Sequence, residues 1–172
     1  MRTLISTAIL LVSLASVPAL GAQEGTSRAP LPPQLNSAKK VFVSNAGSDG
    51  SLFPGAFKGQ PDRTYDEFYA EMKGWGRYKL VLAPADAELV FEIKFVAPIG
   101  MVSVMGGNGG SMLDPQLRLV ILDQRTHVVF WGFTEHVKPG AAFSKNFDQS
   151  MANLLDDVKS VVGPSIPGGA KP

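Results

Sequence analysis

The chain has 172 residues, 45% hydrophobic and 18% charged, with 16 Lys and Arg against 15 Asp and Glu. That length suits one domain plus a targeting segment, and the composition can bury a core. Near-neutral charge without a basic cluster argues against nucleic acid as a partner, and the absence of cysteine excludes disulfides, thiol catalysis, Cys-based zinc sites and a lipid-modified amino-terminal Cys.

Residues 1–22 read as an export signal. Arg2 supplies the positive start, residues 4–14 an apolar run of signal-core length, and Ala19, Gly21 and Ala22 the small residues for cleavage. A membrane anchor needs about 20 apolar residues, and Ser6, Thr7, Ser13, Ser16 and Pro18 interrupt such a span. The expectation is bacterial export without lipidation, to the periplasm or outside. Residues 23–38, rich in Pro, Gly, Ser and Gln, read as a disordered linker. A single domain is expected over residues 39–163 and a loose tail over 164–172.

Alternation of Val41 and Val43 with polar neighbours makes residues 40–44 the first strand. Residues 45–60 form a Gly-rich loop whose Leu52, Phe53 and Phe57 are expected to cover the core's edge. Thr64 then opens a helix, with Glu67 three residues on completing a capping box. Tyr65, Phe68, Tyr69, Met72 and Trp75 form its apolar stripe, and Gly74 and Gly76 stop it. Residues 78–82 make a second strand, parallel to the first across the helix.

Three apolar runs, 88–96, 116–122 and 127–137, read as neighbouring antiparallel strands. In the first, Leu89, Phe91, Ile93 and Phe95 face one way, and Glu88, Val90, Glu92 and Lys94 the other. Glu88 and Glu92 share a face as a conceivable acid/base pair, but lie about 13 Å apart at 3.3 Å per residue, which suits a solvated face. Asp123 to Thr126 is a turn in which Asp123 bonds backbone N–H groups ahead of it. Setting Leu122 opposite His127 places Leu119 with Phe130 and Ile121 with Val128 on the core side. Val120 with Val129, Arg118 with Trp131 and Gln116 with Phe133 then share the other side. Val120, Val129, Trp131 and Phe133 become a candidate partner surface unless a loop covers them, with Trp131 over Arg118 a cation–π alternative. His127 and His136 fall on opposite faces of an ideal strand and cannot share a metal without a bulge.

Residues 98–115 form a Gly/Met-rich loop holding Met101, Met105 and Met112 around a glycine run. It reads as a flap over the spare sheet face, as an apolar finger for a partner or lipid, or as a Met-rich metal or phosphate site. The three methionines join the candidate partner surface. The glycines lack the Gly-Lys-Ser/Thr ending of a phosphate loop. The last helix runs from 144 to about 162, with Phe147, Met151, Leu154, Leu155, Val158, Val161 and Val162 on one stripe.

The expected fold is α+β: β-α-β-β-β-β-α, a mixed, mostly antiparallel five-stranded sheet with two helices on one face. The segments KVFVSN, APADAELVFEI and LRLVILDQRTHVVFWGFTEHV, followed by the amphipathic helix, resemble uncharacterised exported bacterial families, especially of Acidobacteria. Their layout is similar to the amino-terminal domain of TolB and related envelope assembly domains. The resemblance spans residues 39–163, implies the fold, and carries over no catalytic residues.

The functional expectation is a non-enzymatic, envelope-associated binding or assembly module that meets an envelope protein or a second copy, with peripheral membrane contact open. One alternative is a carrier of a hydrophobic ligand or lipid. Another is a small extracytoplasmic hydrolase, for which Ser103 or Ser111 with His127 or His136 is the candidate set, outside any nucleophile-elbow motif. No cofactor or metal is expected.

Overall fold

The computed structural model describes residues 31–102 and 110–162. The expected signal, half of the expected linker (23–30), the expected tail, Ser103, Met105 and the glycines at 106, 107 and 109 lie outside the described residues. Five strands form the main sheet: β1 (Lys40–Ser48), β2 (Lys79–Leu80), β3 (Leu89–Val96), β6 (Gln116–Asp123) and β7 (Val129–His136). Their spatial order is β2-β1-β3-β6-β7. Both neighbours of β1 run parallel to it, whereas β3, β6 and β7 are successively antiparallel. Between β3 and β6 the chain makes a separate two-stranded hairpin from β4 (Ile99–Val102) and β5 (Gly110–Leu113).

Strict alternation places Val41, Val43, Leu89, Phe91, Ile93, Phe95, Leu117, Leu119 and Ile121 on one face, where none is more than 2% exposed. Two helices cover that face. Phe68 and Met72 come from α3 (Arg63–Trp75); Phe147, Met151, Leu154, Leu155, Val158 and Val162 come from α4 (Phe143–Val162). The α+β architecture with both long helices on one face therefore matches the periodicity in the sequence.

The ordered domain begins earlier than residue 39. A short helix α1 (Gln34–Ser37) seats Leu35 in the core, fully buried. The Tyr78 hydroxyl donates to the Leu35 carbonyl at 2.8 Å, and Arg77 Nη2 to the Asn36 carbonyl at 2.6 Å. Burial pushes the Tyr78 hydroxyl up to about 12. In the 45–60 stretch, β1 continues to Ser48 and a second short helix α2 (Pro54–Phe57) follows. Phe57 is buried and Phe53 stacks on Phe143 with ring centroids 4.4 Å apart, but Leu52 stays exposed.

The capping box at Thr64 does not form. The helix starts at Arg63 with Asp62 in the cap position, and Thr64 lies inside the first turn with its hydroxyl buried and unpartnered. Glu67 instead accepts from Arg63 Nε at 2.5 Å. The buried Arg63 guanidinium also donates to the Ala56 carbonyl at 2.6 Å and to Asp148, and lies 4.5 Å above the Phe147 ring. One cation thus bolts α2, α3 and α4 together, and its planar fork satisfies several acceptors at once.

The register of β6 and β7 departs from the expected one. Asp123 N bonds the Val128 carbonyl, and Leu122 pairs with Val129, so the turn is longer than assumed. Asp123 does organise it, accepting from Arg125 N at 3.0 Å and Thr126 N at 2.8 Å, while His127 takes a left-handed conformation at φ 57°. Past Leu122 the register shifts by one: Ile121 pairs with Trp131, Leu119 with Phe133 and Leu117 with Glu135. Phe130 is the extra residue of a β-bulge. A one-residue insertion exchanges the faces of everything beyond it. Trp131 and Phe133 therefore lie on the helix side, partly buried against the core, and Arg118 pairs with Thr134 rather than Trp131.

Candidate functional site

Both long helices lie on one face, and among the described residues no helix covers the other face of the sheet. Along β3 the side chains alternate without exception between buried and partly exposed, so Val90, Glu92, Lys94 and Val96 belong to this open face. The ladder register builds it rung by rung. Phe42 pairs with Val90, Val90 with Leu122, and Leu122 with Val129, giving a row of four apolar side chains across four strands. Phe42, Val90 and Leu122 are partly exposed and Val129 is 56% exposed. The next rung carries Ser44, Glu92, Val120 and Gly132. Val129 stands on this face beside Leu122, and the bulge at Phe130 turns Trp131 and Phe133 to the other.

The charged rung lies further along. Lys94 stands opposite Arg118, which in turn pairs with Thr134. Arg118 Nε donates to Gln116 Oε1 at 2.9 Å. At the end, Val96 pairs with Gln116 and Gln116 with His136. His136 Nδ1 lies 2.8 Å from Asp114 Oδ1, and that contact, with a second from the Gln116 amide, holds the Asp114 carboxyl below its ordinary range. At the opposite end of the sheet, Glu88 accepts the backbone N–H groups of Lys39 and, at 2.8 Å, Lys40, which lower its carboxyl likewise. Glu88 is thus a clasp on the start of β1 rather than half of a carboxylate pair with Glu92.

The seven candidate surface residues are not brought together. Val120 and Val129 share the open face, while Trp131 and Phe133 lie on the opposite face near the sheet's edge. Met112 is 48% exposed on β5, Met101 belongs to β4, and Met105 lies outside the described residues. Sequence reading missed Phe42, Val90 and Leu122 as members of the surface. The signal for all three was their apolar character on the polar phase of their strands.

Neither His ring bonds a serine hydroxyl among the described residues: His136 contacts Asp114, and Ser150 Oγ donates to the His136 carbonyl at 3.0 Å. Among the described residues no three His, Asp or Glu side chains gather as metal ligands. A cleft of about 310 Å³ between α2 and the start of α4, lined by Phe53, Pro54, Ala141 and Phe143, opens to solvent. It is a surface notch between helices and does not lie between the sheet and the 98–115 segment. Among the described residues no helix is long and apolar enough to cross a membrane.

No protein-family model matches the chain, and no curated protein matches it. Among solved structures, a neuraminyllactose-binding hemagglutinin homolog from Helicobacter pylori aligns at 10% identity over 74% of this chain and 84% of its own, with a TM-score of 0.47. A PelC dodecamer from Paraburkholderia phytofirmans aligns at 15% identity over 80% and 96%, with a TM-score of 0.44. Lipoprotein GNA1162 from Neisseria meningitidis aligns at 10% identity over 69% and 99%, with a TM-score of 0.32. With these TM-scores below 0.5, the likenesses assign neither family nor function.

Proposed function

We propose that this chain is an exported, envelope-associated binding module that presents the helix-free face of its sheet to a protein partner. The observation that carries the reading is the apolar row Phe42–Val90–Leu122–Val129, continuous across four hydrogen-bonded strands and uncovered by either long helix. Side chains standing in register on a rigid ladder form a preorganised surface, so little side-chain entropy is lost when it is covered. Apolar residues at the centre with charged residues at the border is the anatomy of a protein-binding patch. Export is supported by the charged start, apolar run and small-residue end of residues 1–22.

The test is cross-linking and pull-down from native envelope extract, comparing the wild type with Val90→Lys/Leu122→Lys. Both positions are partly exposed, so the double variant should keep its circular dichroism spectrum. A partner captured by the wild type and lost in the folded variant supports the reading. Equal capture by both, or no specific capture by the wild type, ends it.

A further inference from the structure

The two edges of the main sheet are finished differently. At one edge, β2 is two residues long, carries Lys79 and is soon followed by Pro84. A strand so short is a poor template for another chain. At the other edge, β7 runs for eight residues, and its stretch from Val129 to Thr134 holds no charge and no proline. Among the described residues no strand pairs with its outer side.

The ladder fixes which backbone groups lie on that side. Val137 N donates to the Pro115 carbonyl at 2.8 Å. In an antiparallel pair, residues that exchange hydrogen bonds alternate with residues that do not. Glu135, Phe133 and Trp131 therefore turn their N–H and C=O groups to β6, opposite Leu117, Leu119 and Ile121. Gly132, Thr134 and His136 turn theirs outward. The His136 carbonyl is already taken by the Ser150 hydroxyl at 3.0 Å, and the bulge at Phe130 ends the regular edge on the other side. Between these stops Gly132 and Thr134 are left, both exposed.

We infer that β7 pairs antiparallel with β7 of a second copy of this chain, about a two-fold axis at Phe133. In that register Gly132 of each copy lies opposite Thr134 of the other, and their outward groups match in about four hydrogen bonds. Sliding the copies by one rung either way would set Thr134 against the bulge, or Gly132 against His136 with its carbonyl taken. Phe133 meets its own copy at a position where Cα atoms come within about 4.5 Å and side chains are closest, and aromatic rings stabilise such cross-strand pairs. Within one chain the Phe133 ring is only partly buried, so it has surface left to cover. Glu135 falls opposite Trp131, and no like charges are opposed. This self-match of backbone, ring and charge selects a second copy over an unrelated strand. The inference goes beyond the protein-binding reading and does not rest on it, because it uses the sheet's edge and not its open face.

The test uses the chain from residue 23 onward, which keeps every described residue. Sedimentation equilibrium over a range of concentrations should show monomer and dimer in exchange. Amide hydrogen exchange by NMR reads the seam directly. The Gly132 and Thr134 amides should gain protection as concentration rises, whereas those of Trp131 and Phe133, bonded to β6, are protected throughout. Thr134→Pro removes an outward N–H from each copy and leaves the β6 bonds in place, so it should weaken the dimer at least about tenfold. Gly132→Lys, whose added Cβ would meet only the Leu119 carbonyl at 3.9 Å, sets a charge on the edge and should weaken it as well. Circular dichroism identifies the folded variants. Val90→Lys/Leu122→Lys, on the open face, should dimerise like the wild type, which separates this inference from the protein-binding reading. A wild type that stays monomeric, a dimer whose Gly132 and Thr134 amides exchange freely, or undiminished dimerisation by a folded edge variant overturns the inference.

Discussion

The two faces of one sheet share a backbone, a twist and a register, yet have opposite chemistry. On the helix side, Leu89, Phe91, Ile93 and Phe95 of β3 are sealed, and Phe91 touches Tyr78 edge to face at 5.6 Å. On the open side, Val90, Glu92, Lys94 and Val96 of the same strand mix apolar and charged groups and remain partly exposed. Burial explains every residue of the first set. It explains less of the second, where the apolar row is partly exposed and Lys94 stands opposite Arg118. Adjacent residues of one strand therefore differ in role: the first set holds the fold, and the second stays at the surface.

The sharpest way to break this comparison is to truncate neighbours. Phe91→Ala should cost about 3–5 kcal/mol, because the ring's contacts disappear and the cavity cannot fully collapse. Val90→Ala, one residue away, should cost only about 1 kcal/mol, since that side chain is smaller and partly exposed. Urea denaturation midpoints measure both, and equal losses would erase the distinction between the faces. A finer probe uses the bulge. Trp131→Ala on the helix side should cost about 1–3 kcal/mol, and Val129→Ala on the open side less than about 0.5 kcal/mol. If the ranking reversed, the register of β7 would have to shift by one.

The smallest effect concerns pH. Glu88, Asp114 and Asp123 are held below the ordinary carboxylate range by hydrogen bonds, chiefly from Lys39 N, His136 and Thr126 N respectively. A depressed carboxylate stabilises the fold fully above its unfolded value, and that contribution is lost as pH falls through the folded value. Stability should therefore decline as pH drops below about 4, the range in which unfolded carboxylates take up protons. Glu88→Gln should make the decline shallower, measured as denaturation midpoint against pH. An unchanged slope would remove Glu88 from the account.

The helix-covered half of the molecule was the legible half. Seven apolar residues at helical spacing placed a helix from 144 to about 162, and α4 spans Phe143–Val162. Alternation in 88–96 likewise identified the buried side of β3. What escaped were features whose cause lies outside their own segment. Leu35 sits in a Pro-rich stretch and is ordered by Tyr78 and Arg77 from over forty residues away. Glu67 matched a capping pattern with Thr64, but a buried Arg63 held by α2 and α4 claims it. Phe130 is apolar like both its neighbours, so no alternation betrays the bulge, and the faces of Trp131 and Phe133 depend on it. The candidate surface was half legible for that reason: Val120 and Val129 could be placed, whereas Phe42, Val90 and Leu122 could be joined to them only through the ladder.

The clasp that Glu88 makes on Lys39 and Lys40 has a mechanical consequence. Chain enters the sheet at the start of β1, beside the start of β3, and the β4–β5 hairpin leaves from the far end of β3. β1 and β3 run parallel, so a pull between the entry point and the hairpin acts along the strands, in opposite directions on adjacent ones. The evenly spaced rungs of a parallel ladder then bear load together in shear rather than opening one after another like a zipper. Tension applied between those two ends meets the stiffest direction of the sheet.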